Sequence, residues 1–280
     1  MSLTDIKPAP RTKVEVNLVR TLIPVVAYVS LSLFPGRVVL IPGRLSVELA
    51  EGIALPAALL LGPAGAGGAA LGSVLSDLIA GAIGPLSVFG AVGQLFLGLV
   101  GYELWQRFGS MPPELASGRD VGVLGLAALV GGMTATSIVG WGYAALGEFP
   151  FFVATVLELP GLLVAAVGVS VPTLLVLPKL RERRKLIGFV TDPAPGVDRT
   201  TAPSTASLLL PVAWYLTGTT LSVGYQAYEL VPDGTFRSFN LGVLLVFDND
   251  TVFGDGGTHF QLVLGSFLFV ALVVIRLGER

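Results

Sequence analysis

The chain contains no cysteine and a single histidine, His259. The first absence removes disulfides, thiolate metal sites and thiol nucleophiles, and with them any inference about redox compartment. The second removes any multi-histidine site, so neither a metal nor a cofactor is expected. Charge is scarce as well: Asp, Glu, Lys and Arg make up 13% of the residues, against roughly 25% in soluble domains.

What is present is apolar. Hydrophobic residues account for 53% of the chain and the mean hydropathy is +0.80. A soluble fold has no way to hide that much apolar surface, whereas blocks of about 20 apolar residues match a hydrocarbon core of about 30 Å. The expected fold class is therefore an all-α, polytopic helical membrane bundle, and not an enzyme; no catalytic residues are assigned. Apolar blocks predict helices near 17–34, 45–61, 64–83, 86–106, 121–146, 150–178, 205–226 and 258–277. Breaks with turn chemistry separate them: Pro35-Gly36, Gly62-Pro63, Gly84-Pro85, Pro112-Pro113, and Gly147 with Pro150. No cleavable signal peptide is expected, because the first 16 residues are polar and the first apolar block lacks a small-residue cleavage site.

Lysine and arginine orient these spans, since short cytoplasmic loops carry the positive excess. With the N-terminus inside, Lys7, Arg11, Lys13, Arg107, Arg119, Lys179, Arg181, Arg183, Arg184, Lys185, Arg199, Arg276 and Arg280 are cytoplasmic. Only Arg37, Arg44 and Arg237 fall outside, while Arg20 lies in the first span near its inner end. Both termini are then cytoplasmic in the cell membrane. The expected organisation is a tail over 1–16, a six-helix membrane core over 17–178, a basic and polar cytoplasmic linker over 179–204, and a two-helix segment with an outer loop over 205–280.

Small residues shape the core. Gly68 and Gly72 are four apart, as are Ala66 and Ala70, a spacing that lets helix backbones approach closely. The same glycine-rich segment, 62–73, has no lysine after its glycines and does not read as a phosphate loop. Gln94 reads as structural glue in mid-span, and Glu103 with Arg107 as an i,i+4 pair near the inner interface. The block Asp248, Asn249, Asp250 and Asp255 lacks the full spacing of a calcium loop, and Asn249-Asp250-Thr251 matches a glycosylation acceptor.

Ionisable groups at bilayer depth cost several kcal/mol unless they face protein, water or a partner. Glu48 and Glu51 fall in the outer part of the second predicted span and Asp77 in the outer half of the third. Glu158 falls about 12 Å below the outer end of the sixth. Trp141 and Tyr143 occupy the outer part of the fifth. Two readings stay open. One is an extracytoplasmic pocket, with carboxylates as acceptors and aromatic rings as walls, suited to a cationic or hydrogen-bond-donating ligand. The other places Glu48, Glu51 and Trp141 at the membrane interface and leaves Asp77 and Glu158 hydrogen-bonded within the bundle.

The stretch from Glu48 to Trp105, above all LPAALLLGPAGAGGAALGSVLSDLIAG followed by SVFGAVGQLFLGLVGYELW, resembles the substrate-binding S components of energy-coupling factor transporters. The resemblance extends over 17–178 in organisation. It implies a six-helix unit that takes a vitamin or a cationic micronutrient from outside. It also implies a separate transmembrane coupling subunit and ATPase subunits as partners, beside the lipid bilayer and the ligand, and no nucleic acid. The chain departs from that family in two places: its first span has only Ala27 where many S components carry an Ala-x-x-x-Ala pattern, and it has two additional helices. Residues 54–73 also resemble the MASE1 membrane sensor domains, which implies a signalling partner. A structural or assembly protein of the membrane without a ligand is the third expectation.

Overall fold

The computed structural model describes residues 13–33, 37–41, 45–183, 205–230 and 258–278. Outside them lie the tail to residue 12, most of the predicted linker (184–204), and most of the predicted outer loop (231–257) with its Asp248–Asp255 block and glycosylation match. The described helices are α1 (Lys13–Leu33), α2 (Ala54–Leu61), α3 (Pro63–Ala80), α4 (Pro85–Phe108), α5 (Gly118–Ala145), α6 (Phe151–Arg183), α7 (Thr205–Leu230) and α8 (Thr258–Gly278). Between α1 and α2 stand two short strands, β1 (Arg37–Ile41) and β2 (Leu45–Glu48), and a 3-10 turn, Leu49–Ile53.

Five of these helices contain segments long and apolar enough to cross a membrane: Val14–Leu33, Pro85–Phe108, Gly118–Ala145, Phe151–Val176 and Thr205–Gly224. Their packing has the polarity of a bundle in lipid. On α3 the small residues Gly65, Gly68, Ala69 and Gly72 are buried, while Leu71, Leu75, Leu78 and Ile79 are exposed. A soluble helix would turn its large apolar residues inward; here close backbone approach outweighs side-chain burial between helices. α1 shows the complementary face, with Val14, Leu18, Leu22 and Val26 exposed at four-residue spacing and Tyr28 and Arg20 buried. The protein is a multi-pass helical membrane protein.

One predicted span is corrected. Residues 45–61 do not form a single membrane-length helix: β2 pairs antiparallel with β1, the 3-10 turn follows, and α2 has only eight residues. The cause is local. The β-favouring Val38, Val39 and Ile41 precede Pro42-Gly43, a turn dipeptide, and Leu45 and Val47 follow. The ladder then sets Arg37 opposite Glu48, Val38 opposite Val47 and Val39 opposite Ser46. α2 itself is buried along almost its whole length, and an eight-residue helix reaches only about 12 Å.

Elsewhere the breaks act as their residues dictate. Gly62 has φ +72°, and its carbonyl accepts from Gly65 N at 2.9 Å, so α2 reverses into α3 at Gly62-Pro63. Gly81 caps α3 in the left-handed region, and Pro85 opens α4 where its missing N–H costs nothing. Ser117 caps α5 by accepting from Asp120 N at 3.3 Å, while the Asp120 carboxylate accepts from Ser117 N and Ser117 Oγ at 3.0 and 2.7 Å. That capping box starts α5 at Gly118, three residues before the predicted start. At the same end of the bundle Arg276 of α8 donates to Glu103 of α4 at 2.8 Å.

Candidate functional site

The chain runs so that the C-terminal ends of α1, α3 and α5 and the N-terminal ends of α4 and α6 gather at one end of the bundle. A cavity of about 430 Å³ opens there, within the usual range of about 300–1,000 Å³ for small-molecule sites. Glu48 and Glu51 enter it from β2 and the 3-10 turn, Asp77 from α3, Tyr143 from α5 and Glu158 from α6. Tyr28 of α1 and Gln94 of α4 add to the polar lining, beside Ser73, Ser76, Ser87 and Thr136. The structure thus brings together five of the six residues singled out from the sequence.

The sixth, Trp141, stands elsewhere. It belongs to an aromatic cluster on the other face of α5, edge-on to Phe89 at 5.3 Å and to Trp214 at 6.2 Å, with Phe269 at 5.7 Å. This cluster seats α7 and α8 against the core, and a Cβ at Gly265 of α8 would collide with the Trp141 ring. Trp141 and Tyr143 are two residues apart, or about 200° around a helix, so they cannot share a face.

Close backbone contacts hold the pocket walls. Gly72 lies where any Cβ would come within 2.7 Å of Tyr28 Cβ, so α3 and α1 touch beside the cavity. Gly52 of the 3-10 turn rests directly on the Ala165 carbonyl of α6, which fixes Glu51 on the side of Glu158. Ser76 Oγ donates to Ser32 Oγ at 2.7 Å, a further tie between α3 and α1.

Gln94, read from the sequence as structural glue, also lines the cavity. It is 7% exposed, and its Oε1 is buried with no hydrogen-bond partner. Its spacing offered a faint signal: Ser87, Gly90 and Gln94 recur at three and four residues along α4, and all three line the cavity.

No family model matches the chain, and no curated protein or solved structure matches it either.

Among the described residues, no three His, Asp or Glu side chains are grouped so as to hold a metal ion. The arrangement is an open-mouthed cavity with acidic and hydroxyl groups on its walls, apolar patches from Leu86, Val139 and Leu162, and two phenol rings.

Proposed function

We propose that the chain is the substrate-binding subunit of a small-molecule uptake system in the cell membrane. The observation that carries this reading is the cavity of about 430 Å³ lined by Glu48, Glu51, Asp77, Tyr143 and Glu158 at a single end of the bundle. Arg107 and Arg119 lie at the far ends of α4 and α5. Under the positive-inside rule the cavity then faces outward and both termini lie in the cytoplasm. Ligand enters from outside, is held by the polar walls, and is released inward when partner subunits reorient the bundle. The protein acts as a binding component rather than an enzyme, and a coupling subunit with ATPases supplies the energy. The sequence resemblance to energy-coupling factor S components supports the same arrangement.

The test uses the purified chain in nanodiscs with a panel of radiolabelled water-soluble vitamins and amines. Binding of one of them at micromolar or better affinity is expected; failure of the folded protein to bind any rejects the uptake reading. Orientation is checked separately. Because the chain has no cysteine, single replacements Asp77→Cys and Arg107→Cys report sidedness with an impermeant maleimide, and the first should label from outside only.

One feature favours sensing as a second reading. α6 is a single helix of 33 residues, about 50 Å long at 1.5 Å per residue. It joins Glu158 at the cavity to the basic run that begins at Lys179, where a signalling partner would dock. Co-purification of a kinase or cyclase in place of ATPase subunits would move the assignment to this class.

A further inference from the structure

We draw no further inference here: the strongest candidate, the cluster of Glu48, Glu51, Asp77 and Glu158 on the walls of the cavity at the end of the bundle, belongs to the site already described, and no second feature among the described residues points to the chemistry of a ligand.

Discussion

Two regions at similar depth in the bundle share the same helices and have opposite character. α4 and α5 turn Gln94 and Tyr143 toward the polar cavity, and Phe96 and Trp141, each two residues further on or back, toward the aromatic cluster with Trp214, Phe269 and Phe151. The cavity is lined by acidic and hydroxyl groups; the cluster is packed by rings, with the Trp141 and Trp214 Nε1 groups buried without hydrogen-bond partners among the described residues. The contrast teaches that depth in a membrane does not define a site. The face of the helix does, and a displacement of two residues exchanges the cavity wall for the helix-docking cluster.

Mutations on the two faces should therefore separate stability from binding. The largest effect is expected in the dry cluster: Trp214, fully buried, when replaced by Ala should cost about 3–5 kcal/mol of stability, read as a lowered Tm in detergent, with ligand affinity unchanged in the fraction that stays folded. Next comes Gly52→Val at the seam between turn and α6. A side chain forced against the Ala165 carbonyl should cost about 3 kcal/mol and impair binding as well, because Glu51 moves with the turn; a normal Tm here would mean that the turn does not rest on α6. On the wet face, Glu158→Gln should leave Tm unchanged and weaken ligand binding about tenfold, or about 1.4 kcal/mol. Unchanged affinity would assign Glu158 to the scaffold. The smallest effect belongs to Trp141→Phe, which keeps an aromatic ring in the cluster: a loss below about 1.5 kcal/mol and no change in binding, whereas an affinity change would join the two regions that the structure keeps apart.

How far the sequence could foretell this division follows from the same geometry. Hydropathy and the positive-inside pattern concern depth, and they placed Glu48, Glu51, Asp77, Tyr143 and Glu158 at one level, where the structure gathers them around one cavity. Azimuth is set by helix packing, to which a hydropathy count is blind, so Trp141 was grouped with Tyr143 although the helix separates them by about 200°. Gln94 reads as glue because a lone amide in a span carries no sign of which neighbours it meets; that it borders the cavity follows only from the packing of α4. The hairpin is hidden for another reason: residues 45–61 make a largely apolar run of helix length despite Ser46, Glu48 and Glu51, and the period-2 signal of Leu45 and Val47 is too short to stand out against it. Gly68 and Gly72, by contrast, were legible, because four-residue spacing of glycines is itself the packing geometry.

The seat of Gly52 on α6 limits how the cavity can open. With no Cβ between turn and helix, Glu51 and Glu158 ride on one rigid wall, and separating them would break a backbone contact that has no slack. The opposite wall is tied as closely, since a Cβ added at Gly72 of α3 would come within 2.7 Å of Tyr28 on α1. Any change in the shape of the cavity is thus expected to carry Glu51 and Glu158 together as a fixed pair.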